Sequence, residues 1–240
     1  MSSKTSKLKK AIILINSILL IVIIIFTPLA YYVFNFNFYN SLYENNGVFS
    51  VLDRDDVLNL TKNLFNFFKY GESYKNCVFE SYVRYADKSI SSVAFFKPEE
   101  INHLDDVRRL LSKIFIMYYT SIILLIILTI LLIEKNIFNF IKNISYSFII
   151  SSSAVMSIMI ILYLLSENFW RLFENFHLMF FPQGNYTFPE NSLIITLFPF
   201  GFFNDFFVKL VTCSSILSII FLILGIIGIN LQKIRRSIPG

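Results

Sequence analysis

The sequence predicts an all-α membrane protein: four transmembrane helices with a mostly helical extracytoplasmic domain that includes a possible small hairpin. Three observations predict it. Four apolar runs are each long enough to cross a bilayer core, which takes about 20 residues. The chain is 55% hydrophobic and only 15% charged, with a mean hydropathy of +0.63, outside the composition of an ordinary soluble domain. Basic residues gather beside alternate ends of the runs, as loop charge does in multi-pass proteins.

The first run, residues 11–33, exceeds the roughly 7–15 apolar residues of a signal-peptide core and ends without a small-residue cleavage site. It reads as an uncleaved signal anchor. The others are residues 114–133, 144–165 and 206–231, the last long enough to tilt or to begin in the interface. Lys4, Lys7, Lys9 and Lys10 precede the first run, Lys135 and Lys142 sit in the turn 134–143, and Lys233, Arg235 and Arg236 follow the last. Segment 166–205 has only Arg171 against Glu167, Glu174, Glu190 and Asp205. Both termini are therefore expected in the cytoplasm, with segments 34–113 and 166–205 outside. The chain divides into 1–33 (basic tail and first span), 34–113, 114–165 (second and third spans), 166–205 with an interfacial helix, and 206–240 (fourth span and basic tail). The basic residues in 34–113 do not count against this, because long segments translocate largely regardless of charge. The net charge of +5 reflects orientation and implies no nucleic-acid partner. Cys77 and Cys213 fall in an outer segment and a span, which excludes a disulfide framework and a cysteine metal motif.

The outer segments carry helical patterns. Val57, Leu60, Leu64 and Phe67 recur at helical spacing over 56–70, and Gly71 supplies a stop. Residues 77–85 read as a strand by their β-branched and aromatic content, with 89–96 as partner. Pro98 opens a helix, and Glu99 and Glu100 suit its positive N-terminus. Ile101, Leu104, Val107 and Leu111 continue it into the second span. A helix over 167–180 carries the stripe Phe169, Phe173, Phe176 and Phe180. Residues 192–198 are too short to span and read as an interfacial or shallow re-entrant helix capped by Asn191. Ser151, Ser152, Ser153, Ser157, Ser214, Ser215 and Ser218 mark close helix packing.

The chain has two histidines, His103 and His177, each just beyond an apolar run and both on the outer side. At about 1.5 Å per helical residue each can stand roughly 16–18 Å from its span end, so one outer-leaflet pocket can hold both. Imidazole titrates near neutrality and is the usual proton carrier in acyl transfer. Asp106 lies three residues after His103 and can orient it. Two other classes stay open on the residues alone. A metal-dependent membrane hydrolase could use His103, Asp106 and His177 as ligands, although His-Glu-x-x-His and clustered His and Cys are absent. A non-enzymatic receptor or accessory protein would need neither histidine for chemistry.

The stretches His103-Leu-Asp-Asp-Val107, Phe176-His-Leu-Met-Phe-Phe181 and Leu193-Ile-Ile-Thr-Leu-Phe-Pro199 resemble the bacterial lipoprotein intramolecular transacylases (Lit). The four-span order and the large first outer segment resemble that family too. One departure is that Asn185-Tyr186 stands where the family carries Trp; Tyr keeps a ring with a polar tip. The resemblance implies transfer of the sn-2 acyl chain of a diacylglyceryl-cysteine to the α-amine of the same cysteine. It implies that His103 and His177 are catalytic, with Asp106, Tyr186 and Asn185 in support; no metal or cofactor is expected, because three candidate ligands without a recognised spacing make a poor site. It implies diacylated lipoproteins and membrane lipid as partners, in the bacterial cytoplasmic membrane with the site at the outer leaflet. The chemistry agrees. An α-amine with a pKa of about 7.7–8.0 needs only a modest base. A second imidazole can stabilise the oxyanion or protonate the leaving oxygen. Amine and ester on one molecule need no acyl-enzyme, and no Gly-x-Ser-x-Gly elbow is present.

Overall fold

The computed structural model describes residues 2–79, 81–87, 93–184 and 186–237. In chain order the elements are α1 (Ser2–Tyr32), α2 (Phe36–Asn45), α3 (Val48–Val51), α4 (Arg54–Tyr70), α5 (Lys75–Phe79), β1 (Val83–Arg84), β2 (Val93–Ala94), α6 (Pro98–Leu131), α7 (Ile137–Leu165), α8 (Phe169–Phe180), α9 (Leu193–Leu197) and α10 (Phe200–Ser237). The chain forms two compact units. One holds Met1–Ala30, Phe115–Leu165 and Leu210–Gly240, and the other Tyr31–Ile114 and Ser166–Lys209.

The first unit is helical. Four helices of the chain are long and apolar enough to cross a membrane, as the hydropathy predicts. All four begin earlier than their apolar runs, α1 at Ser2, α6 at Pro98, α7 at Ile137 and α10 at Phe200, because no proline interrupts the helix between those starts and the runs. Ile24, Val155 and Met159 form the centre of the unit, with Ile21, Leu162, Val211 and Phe221 against them. Ser151, Ser152, Ser214 and Ser218 are buried, as small residues at helix contacts should be. Ser153 and Ser157 are exposed instead. The Ser157 hydroxyl donates to the Ser153 carbonyl of its own helix, so Ser157 is satisfied without a neighbouring helix. Gly225 brings α10 onto α7: a Cβ there would stand 2.8 Å from Ile149 Cγ1 and 3.0 Å from the Ser145 carbonyl oxygen. Lys9 Nζ and Glu134 Oε1 pair at 2.9 Å, which sets the start of α1 and the turn after α6 at the same end of this unit.

The second unit has a dense aromatic core. α4 is built as its sequence demands. The Asp53 side chain accepts from the Asp55 and Asp56 amides at 3.1 and 3.2 Å, Asp55 and Asp56 favour the helix N-terminus, and Gly71 ends it at φ +71°. Its inner face buries Val57, Leu60, Leu64, Phe65 and Phe67. Tyr39, Tyr43, Phe65 and Phe202 interlock there, with centroids 4.8 Å apart for Tyr39–Phe65 and 5.3 Å for Tyr39–Phe202. α9 joins the same core through Leu193, Ile194 and Leu197.

The hairpin exists but is smaller than its sequence predicts. β1 and β2 pair antiparallel, Val83 with Ala94 and Arg84 with Val93. Lys75–Phe79, read as the start of a strand from Cys77 onward, is helical; it continues the 3₁₀ turn Gly71–Tyr74, and local continuity overrides β-propensity here. Arg84 holds Asp56 through Nε at 2.8 Å and Nη2 at 2.9 Å, fastening the hairpin to α4. The residue that caps α9 is Ser192, not Asn191, and its side chain makes no capping bond.

Candidate active site

α6 and α8 carry the two histidines. His103 lies in the second turn of α6 and His177 in the last turn of α8. Each is 7% exposed, and the ring centroids are 6.0 Å apart with planes inclined by 24°. The two imidazoles meet, as their similar offsets from the spans allow. Their surroundings are aromatic. Phe181 and Phe188 stand 4.8 and 5.6 Å from His103. Phe173 and Tyr186 stand 4.1 and 5.0 Å from His177.

The two imidazoles are electrostatically unequal. The Phe173 carbonyl lies 2.8 Å from His177 Nδ1 and accepts its hydrogen, so Nε2 is the basic nitrogen of the neutral ring. Burial lowers the pKa of His177, and the Phe173 carbonyl works against that by favouring the protonated ring. His103 is pushed down to about 4 by burial first and by the neighbouring His177 second, against a smaller raising effect of Asp106. His103 Nδ1 is buried and has no hydrogen-bond partner among the described residues. A buried polar atom left this way costs about 1–3 kcal/mol, and a bound ligand that pairs with it removes that cost. When the site holds one proton, the Phe173 carbonyl favours placing it on His177.

The predicted supporting residues divide. Tyr186 is in place beside His177. Asn185 lies outside the described residues. Asp106 acts on His103 through its charge, and its Oδ2 accepts from Gln183 Nε2 at 2.9 Å. Glu174 shares the spacing of a partner for His177 but is exposed, and His177 uses the Phe173 carbonyl instead. Asp105, next to Asp106, holds Arg108 and Arg109 at 2.7 and 2.8 Å. Cys77 is exposed and free. Among the described residues no three His, Cys, Asp or Glu side chains gather to hold a metal ion.

Sequence reasoning missed Phe181, Phe188 and Gln183 as site neighbours. It read Glu100 only as a first-turn acid suited to the helix N-terminus. Glu100 is 1% exposed. Its Oε2 accepts from the Lys97 amide at 2.5 Å and its Oε1 from the Ile194 amide at 2.9 Å. Its place three residues before His103 was the available signal.

Chemically, the arrangement offers one neutral ring with an unpartnered Nδ1 and a second ring with its proton-accepting nitrogen defined, inside an apolar enclosure. That suits proton transfer at an uncharged carbonyl centre.

Residues 14–203 match the family described as lipoprotein intramolecular transacylase Lit. The fold is similar to that of the membrane-integral lipoprotein intramolecular transacylase Lit from Bacillus cereus, with a TM-score of 0.70 at 18% identity over 95% of this chain and 99% of that one. Two structures of the same protein with one histidine replaced, by arginine or by alanine, give a TM-score of 0.69 at 16% identity, over 97% of this chain and 97% and 98% of theirs. No curated protein matches.

Proposed function

Because the chain belongs to the lipoprotein intramolecular transacylase (Lit) family, we propose that His103 and His177 are its catalytic pair. In this reading they move the sn-2 acyl chain of a diacylglyceryl-cysteine to the α-amine of the same cysteine. The observation that carries this assignment is the pair itself: two buried imidazoles 6.0 Å apart, close enough for both to reach one reacting centre by hydrogen bonds of ordinary length.

Burial keeps both rings neutral at pH 7, which is the state each role needs. His177 Nε2 takes a proton from the α-amine as its nitrogen attacks the sn-2 carbonyl carbon. His103 donates Nδ1–H to the carbonyl oxygen as negative charge develops there. The new C–N bond forms, the bond from the carbonyl carbon to the glycerol oxygen breaks, and His177 returns its proton to that oxygen. The products are an N-acyl cysteine and a free sn-2 hydroxyl. Because amine and ester share one molecule, orientation supplies much of the rate and no acyl-enzyme is required. Tyr186 keeps the His177 ring oriented, and Asp106 modulates His103 by its charge.

The exposed face of α8 supports a place for the acyl chains. Trp170, Leu178, Met179 and Phe180 are all exposed, an apolar surface suited to lipid beside the histidine pocket. We place this site at the outer leaflet of the bacterial cytoplasmic membrane, with both termini cytoplasmic, on the distribution of Lys and Arg. The direct test expresses the gene in a bacterium that makes only diacylated lipoproteins and analyses the N-terminal cysteine by mass spectrometry. An N-acyl, S-monoacylglyceryl cysteine is the expected product; an unchanged diacylglyceryl-cysteine overturns the reading.

A further inference from the structure

Three residues of α6 at successive intervals of three share one face: Glu100, His103 and Asp106. Asp106 and Glu100 each bind the chain that follows α8, on either side of His103. Asp106 holds Gln183 through an exposed bond. Glu100 holds the Ile194 amide through a buried one. Between Gln183 and Ile194 lie Tyr186, which packs on His177, and Phe188, which packs on His103.

Glu100 is unlike an ordinary helix-capping glutamate. A glutamate at the third helical position commonly reaches back to the cap amide at the surface, and Oε2 does this with Lys97. Here the carboxylate is buried in an apolar core, and its second oxygen leaves its own helix for the first turn of α9. Ser192, which caps α9, makes no side-chain bond to that turn, so Glu100 takes over its role. Desolvating a carboxylate is costly, and two backbone amides are what its oxygens receive in return. A core requiring only packing would be served as well by an apolar side chain of similar volume.

We propose that Glu100 is a positioning residue for the transacylation. Its carboxylate fixes the start of α9 on α6, and thereby holds the Tyr186 and Phe188 rings against the two histidines. This rests on the histidine pair being the catalytic centre. Misplacement of a reacting group by about 1 Å costs on the order of 100-fold in rate, so an undone clasp acts on turnover rather than on substrate capture.

The test uses the full chain, purified in lipid nanodiscs, with a synthetic diacylated lipopeptide. Glu100→Gln preserves the shape but presents an NH₂ to one of the two amides. It is expected to fold, to lower kcat by about 10- to 100-fold, and to leave KM within about threefold. The shape of the pH–rate profile should be unchanged, because the imidazoles that titrate are still present. In the unmodified protein, hydrogen exchange should show the Ile194 amide protected, and in Glu100→Gln that protection should fall. Unchanged kcat in a folded Glu100→Gln protein overturns the proposal. So does an unprotected Ile194 amide in the unmodified protein, and so does a Glu100→Gln chain that cannot fold, since the carboxylate would then hold the whole unit rather than the site. His103→Ala and His177→Ala run alongside. Activity retained in those two refutes the histidine pair, whereas activity retained only in Glu100→Gln refutes the clasp alone.

Discussion

His103 and His177 face each other across 6.0 Å, and the charge of one lowers the pKa of the other. Burial is the larger cause of that lowering. His103 is near 4 when folded, against an ordinary value of 6.5. Between these values the unfolded chain binds more protons than the folded one, so stability rises with pH there. The contribution is complete above about pH 6.5 and is lost as pH falls through 4. Thermal unfolding in nanodiscs from pH 7 to pH 4 should show a declining midpoint, and His103→Gln should decline less steeply. Parallel curves for the two proteins would contradict the depressed titration of His103.

Asp106 should matter less than either histidine. Asp106→Asn keeps an oxygen for Gln183 and removes the charge that favours protonated His103. The expected loss is below about 10-fold, against the 10²–10⁴-fold typical of a lost acid–base group. Initial rates with the lipopeptide measure it. A loss as large as that of His103→Ala would make Asp106 a direct participant.

Packing of α10 on α7 gives a prediction away from the site. At Gly225 a side chain meets the Ser145 carbonyl, which is backbone and cannot swing aside. Gly225→Leu should cost about 1–3 kcal/mol by overpacking. Ser157→Leu, on an exposed position of α7, should change stability little. Thermal unfolding of both variants in nanodiscs checks the contrast, and equal effects would contradict the contact.

Much of the architecture was legible because length and apolarity are what a membrane span requires; all four runs lie in long helices. Helix α4 was legible from its spacing and from Gly71, the start of α6 from Pro98, and the meeting of the histidines from their similar offsets. What escaped depends on distant partners. Glu100 obeys the local rule for a first-turn acid whether it faces water or the core, and only the amide of Ile194, far along the chain, decides. The spacing of His103 and Asp106 put both on one face, yet Gln183 from another segment takes an Asp106 oxygen. Glu174 has the spacing of a partner for His177, but the Phe173 carbonyl, one turn back on the same helix, holds His177 Nδ1 instead. The residues Cys77–Phe79 show the converse: a composition suited to a strand yields to the helical turn that precedes it.

Orientation is tested by labelling. In a background without Cys77 and Cys213, single cysteines at Ser89 and Gln183 should react with an impermeant reagent from outside intact cells. A cysteine at Asn136, in the turn beside the Lys9–Glu134 pair, should not. External labelling at Asn136 would reverse the topology and move the site to the other leaflet.

The histidine pair is tested most directly by its product. His103→Ala and His177→Ala, each expressed to normal level in the membrane of a bacterium that makes diacylated lipoproteins, are compared by mass spectrometry of the N-terminal cysteine. The expected result is diacylglyceryl-cysteine with no N-acyl product in either variant, while the unmodified chain yields N-acyl, S-monoacylglyceryl cysteine. Near-normal N-acyl product in both variants would show that the imidazoles are structural and contradict the mechanism.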